Sequence, residues 1–188
     1  MAATDFGRRA VLGRGAACAA GFGLLQAGRG AFAQASGSAP AMKPAVPEIG
    51  SRIALPEVTL LDGRVLPPSH WDGKLLVVEL WASWCPFCAR QNPHLDALHR
   101  AHSNRGLEVL GLSIDRDSDA ARRYMADNGY VFHAAMDDER WRAALGRPRG
   151  LPIVWVVDRQ SRLAKLEIGE MFPEDIAEIA LLLDDAKR

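Results

Sequence analysis

The 188-residue chain has no net charge, with 23 Lys and Arg against 23 Asp and Glu. That balance excludes the basic footprint expected of a nucleic-acid binder. The chain also lacks any run of about 20 strongly apolar residues, the length a membrane-spanning helix needs. It has no internal repeat, and no heptad or long apolar stripe from which a coiled-coil partner could be inferred. Cysteine is scarce and odd in number, at three residues. What is present is ordinary for a soluble globular protein: 48% hydrophobic and 24% charged residues, in a length that suits one domain.

The charge balance hides an asymmetry. Residues 1–33 carry Arg8, Arg9, Arg14 and Arg29 against Asp5 alone, so the remainder of the chain is mildly acidic. A short basic start, a Gly/Ala-rich apolar stretch from Val11 to Ala27, and small residues at Ala31-Phe32-Ala33 and Ala33-Gln34-Ala35 follow the order of a signal peptide. Gly7-Arg8-Arg9-Ala10-Val11-Leu12 resembles a twin-arginine export signal. Residues 1–35 are therefore expected to be a signal peptide, and the protein to be periplasmic or otherwise exported. It would be soluble after cleavage, or anchored by the leader if that stays on. Gly15-Ala16-Ala17-Cys18 lacks the leucine expected three residues before a lipoprotein cysteine, so Cys18 reads as part of the leader.

Removal of the leader leaves Cys85 and Cys88 as the two thiols of the mature chain. In an oxidising compartment they are expected to pair with each other. A bridge closing so short a loop restrains little of the unfolded chain, so redox chemistry explains it better than stability.

Residues 36–48, with Ser36, Gly37, Ser38, Pro40, Pro44 and Pro47, read as a flexible linker to a domain over 49–188. Val58 to Leu61 is a short strand, turned by Asp62-Gly63 towards Val65 and Leu66. Leu75 to Trp81 is nearly continuous apolar sequence, as in a central strand covered on both faces. A helix is expected from Pro86 to about Asn104, a strand from Leu107 to Ile114, a helix from Ser118 to Asn128 and a strand from Val131 to Ala135. A short helix over Glu139 to Leu145, a hairpin of Ile153 to Val157 with Leu163 to Ile168, and a closing helix from Pro173 to Leu183 complete the chain. This order predicts an α/β fold with a central mixed sheet between helices and an N-terminal strand extension.

Trp84-Cys85-Pro86-Phe87-Cys88 falls where a buried strand gives way to a helix. A cysteine at a helix N-terminus meets unpaired backbone N–H groups and the positive end of the macrodipole, both of which favour thiolate. Cys85 is therefore the expected nucleophile. Cys88, one turn further in, is placed to resolve a mixed disulfide. Pro86 at the first helical position costs no hydrogen bond.

The segment Val77-Val78-Glu79-Leu80-Trp81-Ala82-Ser83-Trp84-Cys85-Pro86-Phe87-Cys88 resembles the active-site strand and loop of thioredoxins, and most closely the TlpA-like periplasmic branch of that superfamily. Pro93 matches the proline that kinks the family's active-site helix, and Leu151-Pro152 matches the cis-proline loop facing the cysteines. Glu79 stands where the family places a buried acid, although thioredoxins usually have Asp there. The likeness spans about Ile49 to Leu183 and implies a thioredoxin-like fold. It further implies Cys85 and Cys88 as the redox disulfide, and Glu79, its pKa raised by burial, as the group that moves a proton for Cys88. Trp84, Pro86, Phe87, Leu151 and Pro152 would be the substrate-binding surface.

The resemblance also implies a partner and a direction. The expected substrate is a disulfide-containing exported protein, reduced in the manner of cytochrome c maturation or copper-site assembly, with a membrane thiol donor to restore the dithiol. No cofactor is implied and no metal ligand is assigned. A disulfide-donating oxidase remains an alternative. So does a copper-binding metallochaperone using Cys85, Cys88 and a histidine or Met171. A thiol peroxidase would need a nearby Thr and Arg that this arrangement does not supply. Trp141 and Trp155 read as packing residues. The histidines, including His70 and His133, read as surface or capping groups without chemistry.

Overall fold

The computed structural model describes residues 45–185. The expected signal peptide and the linker as far as residue 44 lie outside them. Seven strands and five helices are formed: β1 Val58–Thr59, β2 Val65–Leu66, β3 Leu75–Trp81, α1 Pro86–His102, β4 Leu107–Ser113, α2 Ser118–Asp127, β5 His133–Met136, α3 Glu139–Leu145, β6 Ile153–Val157, β7 Leu163–Ile168, α4 Pro173–Glu178 and α5 Leu182–Asp185. Among the described residues no helix is long and apolar enough to cross a membrane.

The central sheet has the order β5-β4-β3-β6-β7. Strands β3, β4 and β5 run parallel, while β6 is antiparallel to β3 and β7 is antiparallel to β6. Parallel neighbours need a crossover, and α1 and α2 supply the two that join β3 to β4 and β4 to β5. All seven residues of β3 are buried, as its apolar run predicts. Successive side chains on a strand point to opposite faces. Leu75 and Val77 thus join a core with Leu95 and Leu98 of α1 and Ile176 of α4. Leu76, Val78 and Leu80 join another with Trp71, Trp141 and Trp155. The expectation that Trp141 and Trp155 are packing residues holds.

The N-terminal strands differ in one respect from the expected extension. β1 and β2 form a separate antiparallel pair, tied to the central sheet by a single bridge from Leu60 to Ala135. Val46 backbone atoms pass so near Gly146 that a Cβ there would stand 2.7 Å from Val46 Cα, and Gly146 has φ 68°. Gly146 is thus required on both counts, which seats the start of the described chain against the end of α3.

Candidate active site

The site is built at the C-terminal end of β3. A loop, Ala82-Ser83-Trp84, leaves the strand and is pinned by Asp115, two residues past the end of the neighbouring β4. Ser83 N–H donates to Asp115 Oδ2 at 3.0 Å, Ser83 Oγ donates to Oδ1 at 2.8 Å and Ser113 Oγ donates to Oδ2 at 2.7 Å. A nearly buried carboxylate with three donors fixes where the next residues go.

Those residues are the cysteines. Cys85 is the N-cap of α1, in extended backbone, and Pro86 is the first helical residue. Cys85 and Cys88 are joined as a disulfide with Cα atoms 5.3 Å apart. Cys85 Sγ accepts the Cys88 N–H at 3.2 Å, one of the otherwise unpaired donors at the helix start. Both sulfurs are buried in a cluster with Trp81, Ala82 and Ala121, and Leu151 packs against it. The Leu151–Pro152 bond is cis. Among the described residues the N–H and C=O of Leu151 make no backbone hydrogen bond, whereas Pro152 O accepts Gly169 N–H at 2.9 Å.

Trp84 and Phe87 flank the pair and stay in solvent, 65% and 48% exposed. Phe87 lies under the Arg90 guanidinium, 4.7 Å from its ring centre. Arg90 in turn donates to Glu170. A cleft of about 500 Å³ opens beside Trp84, lined by Leu80, Ile114, Leu151 and the Arg147-Pro148-Arg149 turn. It is mostly apolar, with Arg147 and Arg149 in its lining.

Glu79 is fully buried beneath the pair, on the α1 face of β3. Burial pushes its carboxyl up to about 8, moderated by a 2.8 Å hydrogen bond donated by Gln91 Nε2. Asn92, its amide nitrogen turned inward as the surrounding acceptors require, donates to Glu79 at 2.7 and 3.1 Å and to the Cys88 carbonyl at 3.2 Å. Gln91 Oε1 accepts Met171 N–H at 2.8 Å, joining the acid to the segment before α4. Gln91 and Asn92 do not figure among the site residues expected from sequence. Both are buried polar residues three and four positions after Cys88, on the inward face of α1, and that spacing was their available signal.

Three of the five histidines depart from expectation, while His94 is exposed as expected. Rather than surface groups, His70, His99 and His133 gather around Glu108 near the start of β4, with His99–His133 and His70–His133 ring centres 5.5 and 5.9 Å apart. They come from the turn before β3, from α1 and from β5, so no sequence spacing announces them. They are not near the cysteines. Glu108 pairs with Leu76 at the beginning of β3, while Cys85 follows that strand's end.

A disulfide at a helix N-terminus, a buried acid behind it and a cis-proline loop against it define a thioredoxin-fold thiol–disulfide oxidoreductase. The chain belongs to the Redoxin family, whose model matches residues 35–182. It is 24% identical over 119 residues to the thiol-disulfide oxidoreductase ResA of Bacillus thuringiensis strain Al Hakam, covering 63% of this chain and 69% of that protein. Among solved structures, the thioredoxin-family thiol:disulfide interchange protein of Chlorobium tepidum TLS superposes with a TM-score of 0.66 at 20% identity, covering 74% of this chain and 99% of the other. A secreted Mycobacterium tuberculosis disulfide oxidoreductase homologous to E. coli DsbE superposes with a TM-score of 0.58 at 20% identity, covering 66% and 94%.

Proposed function

We propose that the protein works outside the cytoplasm as a reductase of disulfides in exported partner proteins, with Cys85 as nucleophile and Cys88 as resolving thiol. The observation that carries the reading is the position of Cys85 at the start of α1, where its sulfur accepts a main-chain N–H. That environment favours the thiolate, the attacking species. In the reduced enzyme the Cys85 thiolate attacks one sulfur of the partner's disulfide and expels the other as a thiolate. The Cys88 thiol then gives up its proton and attacks Cys85 Sγ, releasing the partner as a dithiol and closing Cys85–Cys88. Glu79, with a carboxyl near 8, is suited to take that proton in its ionised form, a minority at neutral pH that grows as pH rises towards 8. Asn92 ties it to the backbone of Cys88.

Leu151, with main-chain groups unused, offers an extended partner segment a strand-like seat beside Cys85. Trp84, Pro86, Phe87 and Pro152 complete the docking surface, and the cleft beside Trp84 would take an apolar side chain. The basic start and small-residue cleavage pattern of residues 1–35 support export, with 36–48 as linker and 49–188 as the working domain. A membrane thiol donor would restore the dithiol, and a partner in cytochrome c maturation or copper-site assembly fits such a role.

The test is a trap. Cys88→Ser cannot resolve the mixed disulfide, so it should hold one exported protein through Cys85 in the periplasmic fraction. The absence of a mixed disulfide under reducing and oxidising growth would end the oxidoreductase reading. A glutathione redox titration decides direction: a potential near about −120 mV would make the protein a disulfide donor instead.

A further inference from the structure

At the end of the sheet away from the cysteines, three donor groups converge that the redox chemistry does not use. His70, Glu108 and His133 each present one ligand atom, and these atoms lie within 4.8 Å of one another. They come from the turn Pro68–Trp71, from β4 and from β5, so the fold itself brings them together. Glu108 is the centre. Its Oε2 lies 3.0 Å from His133 Nε2, and its Oε1 lies 4.0 Å from His70 Nε2. The rings are held by neighbours rather than by solvent: Trp71 meets His70 edge-on at 4.7 Å between ring centres, and His99 meets His133 at 5.5 Å.

The space between these donors already holds a positive charge. Lys74 Nζ is 3.1 Å from His70 Nε2 and 3.0 Å from Glu108 Oε1. An ammonium has no acceptor, so His70 Nε2 must present its lone pair and carry its proton on Nδ1. His70 is therefore already in a ligating tautomer. His133 now spends Nε2–H on Glu108, while its Nδ1 is buried without a partner. Moving that one proton to Nδ1 would free Nε2 as a donor. His99 is committed elsewhere, since its Nδ1 accepts Val109 N–H at 3.3 Å, and it braces His133 instead of joining the set.

We propose that His70, Glu108 and His133 form a binding site for a divalent cation of the Zn²⁺ type, with Lys74 as an internal cation that the metal displaces. Two imidazoles and a carboxylate suit that class of ion and leave a fourth position open. Lys74 sits at the rim, directly after Gly73, and its long stem can carry the ammonium into water. Glu108 and Cys85 lie at opposite ends of β3, whose seven residues span roughly 20 Å, so the site is independent of the redox pair. It differs from a metallochaperone built on Cys85 and Cys88, because no sulfur takes part.

The experiment is calorimetric titration of the full chain with Zn²⁺ in its oxidised form, where the Cys85–Cys88 disulfide removes those thiols as ligands. One equivalent is expected to bind. His70→Ala and Glu108→Gln should each weaken it by about tenfold or more. Lys74→Met, which removes the competing ammonium, should tighten it. Cys85→Ser/Cys88→Ser should leave it unchanged. Because Glu108→Gln removes a buried charge partner and could unfold the chain, the His70→Ala and Lys74→Met pair, both at the rim, carries the decision in that case. Binding by none of the forms would overturn the proposal, as would binding indifferent to His70 and Lys74. So would binding lost with the cysteines.

Discussion

At the scale of single residues, Glu79 explains the most. Its neighbours on β3 are apolar on both faces, and a carboxylate there lacks the hydration it would have in the unfolded chain. Unfolded, it ionises near 4.5; folded, near 8. Between those values the unfolded chain releases a proton that the folded chain keeps. Its contribution to stability is therefore full below pH 4.5 and is lost as pH rises to about 8. Glu79→Gln should abolish that dependence. In urea melts it should be more stable than the parent by about 4 kcal/mol at pH 8 and by little at pH 4.5. The same variant should resolve mixed disulfides slowly, with a flat pH–rate profile where the parent's rises towards pH 8. Asp115 is the second residue of consequence. Asp115→Ala strips three donors of their acceptor, and a loss of about 1–3 kcal/mol is expected. A slower reaction of reduced enzyme with a small disulfide should accompany it, since Ser83 precedes Trp84 and Cys85. Glu79 was legible in the sequence because its place between Val78 and Leu80 left it no way to water. Gln91 and Asn92 were not, because a polar residue on a helix is ordinarily solvated, and only the acid behind them calls them inward.

Among the elements, β4 and α1 determine how well the site is held. Glu79 pairs with Gly111 on β4, and a Cβ at Gly111 would stand 2.7 Å from Trp81 Nε1 and 3.0 Å from Phe132. Gly111→Ala must therefore displace the indole that packs beside the cysteines. A cost of about 1–3 kcal/mol is expected in denaturant melts, together with a change in near-ultraviolet circular dichroism. The element order and the limits of β3 could be read in advance, since a seven-residue apolar run followed by a helix start has one good placement. The start of β5 could not. Val131 and Phe132 suit a strand, but their N–H groups are taken by Asp96 of α1, at 2.7 and 3.4 Å, so pairing with β4 begins at His133. The closing helix is broken where sequence suggested continuity: Ile179–Leu181 tightens into a 3-10 turn between α4 and α5. Three- and four-residue spacings present apolar side chains to the core almost equally well over so short a stretch.

For the whole molecule, the described residues contain both cores, the sheet and the redox pair. A chain lacking residues 1–44 should therefore fold cooperatively and keep the parent's midpoint in a glutathione titration. A shifted midpoint would mean that the leader segment touches the site. The histidine cluster shows what a one-dimensional reading misses at this scale. Residues 70, 99, 108 and 133 share no motif, and the crossovers through α1 and α2 are what bring them to one corner.

Trp84 gives the redox pair a means of reporting its own state. Its indole is the exposed one among five tryptophans, and it adjoins Cys85 in the chain. Excited indole passes an electron readily to a nearby disulfide, and far less readily to a dithiol. Light emitted at the red, water-exposed edge of the tryptophan band should therefore brighten when Cys85–Cys88 opens and dim when it closes. The enzyme can then be followed in real time, unlabelled, in the same cuvette as its partner.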